Sequence, residues 1–362
     1  MESEDVQSQI DRITDIYIPA IPIDGGPANT PGSGVYCFSG TPDVLWVRDT
    51  PLEPWMARLA TQVWQDDAQA LDSDYIVVFD DRRYRAHRKM TESGPEVNLR
   101  HIPLQCPMLT DLKFPPMWAG IFASKSLLAG GLVIFSAEAG QGKTTAASAM
   151  MRTRAEKFGG YGQTVENPAE LPLEGAYGKG VVRQTSVSWD APFERDRGWA
   201  GAMRGALRSF PTTRGNMLFV GEVRDSETAA ELIQAAVNGL LVMTTMHALS
   251  PQAAIYRLIS LADRKLDGQA GELLASALRL VVHQQLTLAS DVTGWKRGAI
   301  TGRLLFSDGE GHPVANAIRT RNFNLLAQPM SMQDNILRMS AQVSKSPEDV
   351  LGLMGTSGKG LS

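Results

Sequence analysis

The 362-residue chain has only two cysteines, Cys37 and Cys106, too far apart in sequence for a paired metal-ligand motif or a disulfide framework. Both are expected to be structural, in a reducing compartment. Long hydrophobic runs are also missing, because the most apolar stretches, 127–137 and 240–249, are too short to cross a bilayer. The first residues, MESEDVQSQIDR, have neither the basic flank nor the apolar core of a secretory signal, so a cytoplasmic location is expected. Positive charge is not in excess: 35 Lys and Arg stand against 39 Asp and Glu, a net charge of −4. No chain-wide basic field makes nucleic acid the default partner, although a local patch stays open. Internal repeats, heptads and long low-complexity tracts are lacking too. What is present is a 43% apolar fraction, enough for a substantial core, in a length that suits two domains. The 34 glycines and 20 prolines are a modest excess that matters where it is concentrated beside a ligand.

The first hundred residues combine a Pro/Gly-rich region, 19–42, with strand-like runs at 44–47 and 75–79 and a helix expected over 54–69. This pattern predicts a small α+β domain. Its segment DRRYRAHRKM carries Arg82, Arg83, Arg85, Arg88 and Lys89. A solvated strand or loop face accounts for them; so does an approach to an anionic ligand bound elsewhere in the chain or on a neighbouring subunit, or contact with nucleic acid. Pro115-Pro116 interrupts regular structure near a domain boundary. Beyond it, apolar runs at 131–136, 162–165, 217–221 and 240–245 alternate with helical patterns at 143–157 and 226–238, the latter capped by Asp225 and stopped by Gly239. That alternation argues for an α/β core. A further helix is expected over 272–282, helical periodicity recurs over 334–343, and the last dozen residues read as a mobile tail.

The most informative segment is GLVIFSAEAGQGKTTAASAM, an apolar run entering a loop of small residues and then an Ala-rich helix. Gly140 and Gly142 let the backbone curl and aim its N–H groups at phosphate oxygens, Lys143 can reach the β- and γ-phosphates, and the Thr144 hydroxyl can ligate Mg²⁺. The usual pattern has a glycine where this chain has Ala137, so the loop has to accommodate one Cβ.

Two carboxylates follow apolar runs. Glu222 in MLFVGEVRDSE can polarise an attacking water or support a Mg²⁺ shell, or it can simply pair with Arg224. Glu166 in GQTVENPAELP has the same two possible roles, against that of a surface carboxylate. His247, after LLVMTTM, can contact the γ-phosphate or an acidic residue, or be an ordinary strand-end histidine. Arg204 and Arg208 share a helix face and can meet phosphate, a carboxylate of another subunit, or neighbours on the helix surface.

In this order the segments resemble the secretion and pilus traffic ATPase superfamily, over roughly residues 110–290. The family's acidic box is matched by Thr164-Val165-Glu166-Asn167-Pro168, its arginine-bearing helix by MRGALRSFP, and its next box by Gly221-Glu222-Val223-Arg224-Asp225. GLLVMTTMH matches the last box and places His247 on the family's second histidine. Ala137, Asn167 and Leu240 depart from the pattern.

The resemblance implies an α/β fold: a RecA-like P-loop ATPase core over 113–330, a smaller N-terminal PAS-like α+β domain over 1–112, and a C-terminal helix and mobile tail over 331–362. It implies ATP and Mg²⁺ at the site, a homo-hexamer, and peripheral docking on an inner-membrane platform or coupling proteins. Residues Ala137, Glu138, Ala139, Gly140, Gln141, Gly142, Lys143, Thr144 and Thr145 would hold the nucleotide. Thr144, Glu166 and Glu222 would hold the metal, and Glu222, Glu166, Lys143 and His247 would carry the catalysis. Arg83, Arg85 and Arg88 are candidates to complete the site. The chain has no tetracysteine zinc insertion, which aligns it with PilT-like retraction motors or with type IVB secretion and conjugation members of the DotB group. The latter is the leading expectation; pilus retraction, a non-hydrolysing nucleotide-controlled assembly module and direct nucleic-acid translocation are the alternatives.

Overall fold

The computed structural model describes residues 4–20, 34–38, 43–70, 72–187, 193–194, 197–212, 215–291, 294–343 and 345–356. Most of the Pro/Gly-rich region 19–42 lies outside the described residues. The chain divides into two compact units, one made of residues 1–105, 170–172 and 290–295, the other of the rest.

The first unit opens with α1 (Glu4–Arg12), β1 (Ile13–Pro19), β2 (Val35–Phe38), β3 (Val44–Trp46), α2 (Glu53–Asp67), β4 (Asp74–Phe79), β5 (Arg82–Thr91) and β6 (Gly94–Ile102). Its six strands form one sheet in the order β3-β2-β1-β6-β5-β4, with antiparallel neighbours throughout. Helix α2 buries Trp55, Met56, Leu59, Ala60 and Val63, an i, i+1, i+4, i+5, i+8 stripe that packs with Tyr84, Ala86, Val97 and Leu99 of the sheet. The indole of Trp55 donates to Asp80 Oδ2 at 3.1 Å, so its one polar atom is paired.

The second unit contains α3 (Trp118–Phe122), β7 (Gly131–Ala137), α4 (Lys143–Phe158), β8 (Gly160–Glu166), β9 (Gly175–Tyr177), β10 (Gly180–Ser186), α5 (Gly198–Arg208), β11 (Met217–Val220), α6 (Ser226–Val237) and β12 (Leu241–His247). It continues with α7 (Pro251–Ala262), α8 (Ala270–Ala277), β13 (Leu278–Asp291), β14 (Gly294–Phe306), α9 (Pro313–Arg319), α10 (Ala327–Gln342) and α11 (Pro347–Thr356). The sheet order is β14-β13-β7-β12-β11-β8-β10-β9, and from β13 to β10 every neighbouring pair is parallel. This is an α/β fold. All seven residues of β7 and all four of β11 are buried, and all but Ser136 lack a polar side chain, the near-continuous apolar pattern of strands covered on both faces. Leu132 and Ile134 face the core shared with residues of α5 to α9, while Phe135 meets the α3 ring Phe122 edge-on at 5.6 Å.

Two expected features differ. The helix expected over 272–282 stops at Ala277, and Leu278 onward is β13, whose Leu, Val and Leu residues pair with β7. Residues 351–356, expected in a mobile tail, belong to α11, where Val350, Leu351 and Met354 are buried; residues 357–362 lie outside the described residues. Fully buried His312 ties this helix down: Nε2 donates to Met354 O at 3.1 Å and Nδ1 accepts from Val314 N–H at 3.2 Å.

Gln333 of α10 acts as a strand neighbour. Wholly buried, it accepts from Phe306 N–H at 2.8 Å and donates to Phe306 O at 3.0 Å. Gln333→Met keeps the volume but leaves both backbone groups unpaired, and is expected to cost about 2–4 kcal/mol of unfolding free energy. Chemical denaturation checks this; a loss below about 0.5 kcal/mol would show that the pair is dispensable.

Candidate active site

The carboxyl ends of the parallel strands collect the residues that the sequence singles out. Ala137 ends β7 and is the register partner of His247, which ends β12. Val220 at the end of β11 pairs with Val165, one residue before Glu166 at the end of β8. Gly221 N–H donates to Val165 O at 2.8 Å, and Thr244 and Thr245 hold the carbonyls of Val220 and Gly221 at 2.9 and 2.5 Å. A crevice outside the carboxyl ends of the strands is where open α/β sheets bind ligands.

Residues 138–142 turn from β7 into α4. Gly140 and Gly142 have φ of 74° and 78°, a region costly for any residue with a Cβ. Ala137, in contrast, is an ordinary buried strand residue, so its Cβ replaces the usual glycine hydrogen without backbone strain. Helix α4 starts at Lys143 with no side-chain cap on its first turn, which leaves amide donors facing outward beside the half-buried Thr144 and Thr145. Such an end suits an anion. Lys143 is buried and donates to the carbonyls of Ala137 and Glu138 at 3.1 and 2.6 Å, so its ammonium lies within the loop.

His247 Nδ1 lies 3.4 Å from Lys143 Nζ. Burial, then the charge of Lys143, lowers the His247 pKa from its ordinary value, so the ring is neutral at pH 7 and accepts from the ammonium. Glu222 follows β11 and is ion-paired to Arg224. Glu166 is 2% exposed and accepts from Gln184 Nε2 at 3.0 Å. A Cβ built on Gly221 would stand 3.4 Å from Glu166 Cγ, so residue 221 lies directly beside the Glu166 side chain. Asp225 caps α6 as expected, accepting from Thr228 N–H at 2.8 Å. Among the described residues no three His, Cys, Asp or Glu are grouped as a metal cage. A hard cation here would therefore depend on Thr144, one or two carboxylates and the oxygens of a bound phosphate.

Arg204 pairs with Glu227 and Glu231 of α6 at 2.9 and 3.8 Å, the helix-surface reading. From Arg82 onward DRRYRAHRKM belongs to strand β5, whose side chains alternate between faces. Arg83 and Arg85 share the face opposite Tyr84 and Ala86; Arg88 falls on the α2 side and pairs with Asp67 at 3.2 Å. The three arginines are therefore not one cluster. Arg85 instead has Arg100 of β6 as its register partner, and Asp74, Glu170 and Asp15 balance the two charges at 3.4, 2.9 and 2.9 Å. Arg85, Arg100, His87, Tyr17 and Asn98 line an open cavity of about 350 Å³ on this face.

Sequence reasoning missed Arg100, which stands alone in its segment, and the β13 residues that reach the loop. The side chain of His283 lies 3.3 Å from Ser136 Oγ, and Gln284 and Leu286 bond Gln141. A reading of 272–282 as helix gave no reason to place them there.

A family profile described as Type II/IV secretion system protein matches residues 90–323. The type IV pilus ATPase PilU of Pseudomonas aeruginosa is 27% identical over 277 residues, 73% of this chain and 69% of that protein. The chain covers 53% of a twitching motility protein of Neisseria gonorrhoeae and 27% of the type II secretion system protein E of Pseudomonas aeruginosa, so it spans well under two thirds of several of the curated relatives it matches. Among solved structures, the pilus retraction motor PilT with bound ADP superposes with a TM-score of 0.67 at 22% identity, covering 97% of this chain and 96% of that one. The ATPase DotB of Legionella pneumophila gives 0.61 at 21% identity, covering 89% and 86%. These likenesses establish the fold. Among the described residues no helix is long and apolar enough to cross a membrane.

Proposed function

Because the chain belongs to the Type II/IV secretion system protein family, we propose that it is a Mg²⁺-dependent ATPase, working as a homo-hexameric motor for type IVB secretion or conjugative transfer. The observation that carries the reading is the uncapped start of α4 behind two positive-φ glycines, with Lys143 buried in the loop, Glu166 ending β8 and Glu222 just past the adjacent β11. The second unit serves as a RecA-like P-loop core and the first as a PAS-like domain.

The reaction is ATP plus water giving ADP and phosphate. Loop residues 137–142 and the first amides of α4 would bind the phosphates, and Lys143 would spread the charge that develops on the transferred group. Thr144, with Glu166 and Glu222, would hold Mg²⁺, which when bound neutralises phosphate oxygens. Glu222 orients the attacking water and takes its proton, while Glu166, fixed by Gln184, supports the same water or the metal shell. Neutral His247 positions the Lys143 ammonium. In a ring, Arg85 and Arg100 are the cross-strand pair suited to a nucleotide phosphate, with Arg83 on the same face. Docking to an inner-membrane platform would rest on protein contacts.

Purified full-length chain should release phosphate from ATP with Mg²⁺, stop when EDTA is added, and sediment as a hexamer with nucleotide. Saturable ATP binding without turnover would overturn the motor and leave a nucleotide-controlled assembly module. A second reading, pilus retraction, is favoured by the PilU match over 73% of the chain. Restoration of twitching in a retraction-deficient pilus strain would decide for it over secretion or conjugation.

A further inference from the structure

We propose that Gln284 and Gln141 form a positioning clamp that holds the phosphate loop in its ligand-ready shape; this rests on the reading of residues 137–142 as a phosphate site. Gln141 is the one residue between Gly140 and Gly142, the two positions whose backbones are least restrained in the loop. Both of its ends are tied to β13. Its carbonyl accepts from Gln284 Nε2 at 2.7 Å, and its side-chain Oε1 accepts from Leu286 N–H at 2.6 Å.

The geometry follows from the sheet. The register of β13 against β7 ends at His283 with Ser136, where β7 is about to turn into the loop. β13 runs on, and the Gln141 side chain takes up a backbone donor beyond the end of the β7 ladder. Gln284 is fully buried, and its Oε1 has no hydrogen-bond partner among the described residues. A buried acceptor without a donor is unfavourable, and turning the amide over would set Oε1 against the Gln141 carbonyl. The orientation is therefore dictated by the loop. A Cβ built on Gly142 would lie 3.5 Å from Gln284 Nε2, so the amide packs against the residue that precedes α4.

Ordering a glycine-flanked segment on binding costs conformational entropy, and a clamp that orders it beforehand transfers that cost from binding to folding. The side chains of Gln284 and Gln141 act through the loop backbone, by holding the amides of Gly142 and the first turn of α4 in place.

The test measures affinity of the full-length chain for a fluorescent ADP analogue with Mg²⁺, in Gln284→Met, Gln141→Ala, the double variant and Lys143→Ala. Each single variant should weaken binding roughly tenfold, and the double variant further than either single, because Gln284→Met severs the bond to the Gln141 carbonyl while Gln141→Ala leaves that carbonyl in place and severs the separate bond to Leu286 N–H. A merely structural role would instead lower the denaturation midpoint and leave affinity at wild-type strength. If Gln284→Met fails to fold, Gln141→Ala, in a half-buried loop position, carries the test alone. Wild-type affinity in the single variants and in the double, with binding lost in Lys143→Ala, overturns the clamp. Wild-type affinity in Lys143→Ala as well overturns the nucleotide reading of the loop, and the clamp with it.

Discussion

Glu222→Gln slows steady-state phosphate release by roughly 10²–10⁴-fold while nucleotide affinity stays within a few-fold of the parent protein, the loss expected when a positioned proton acceptor is removed. Glutamine keeps the shape of the side chain and removes its charge and its basicity. The competing account is that Glu222 matters only as the partner of Arg224, to which it is ion-paired in the structure. Arg224→Ala separates them. That pair is largely solvent-exposed on the arginine side and is worth little by itself, so breaking it should change turnover by no more than a few-fold. Equal losses in the two variants would reduce Glu222 to a structural role and move the proton acceptor to Glu166, which Gln184 already orients.

Lys143→Ala should lower turnover by at least about 100-fold and weaken nucleotide binding by at least about tenfold, since a preorganised charge and its charge-assisted hydrogen bonds are lost together. The substitution also has a signature without nucleotide. The positive charge of Lys143 is, after burial, the second cause holding the His247 pKa below its ordinary value. Removing it raises that pKa, so by NMR His247 gains its proton at a higher pH than in the parent protein. Unchanged turnover with unchanged His247 titration would mean that the ammonium is not where the structure puts it.

Much of the second unit was legible because its strands are buried on both faces. GLVIFSA is apolar but for Ser136 and MLFV is apolar throughout, and the turn from β7 into α4 carries its glycines at fixed offsets before Lys143. β13 was not legible. ELLASALRLVVHQQL is apolar at spacings that suit either a helix or a buried strand, and its Ala-rich beginning is indeed helical up to Ala277. What makes Leu278 onward a strand is the edge of β7, which no local pattern reveals. The Gln141 contacts disappear from view for the same reason. In the first unit the arginines of β5 are visible in the sequence, but only the strand shows its two-residue alternation, which puts Arg88 across the sheet from Arg83 and Arg85. Arg100 needed the β5–β6 register to gain a meaning.

That alternation makes β5 intolerant of a particular kind of change. Tyr84 and Ala86 belong to the apolar core while Arg83 and Arg85 belong to the charged face, and a shift by a single residue exchanges the two sets at once. A one-residue insertion or deletion within this strand would put guanidinium groups into the core and a tyrosine ring where the charges stood, so length variation here is confined to the turns on either side. Substitution can retune the charged face freely; a frame slip along the ladder would destroy fold and face together.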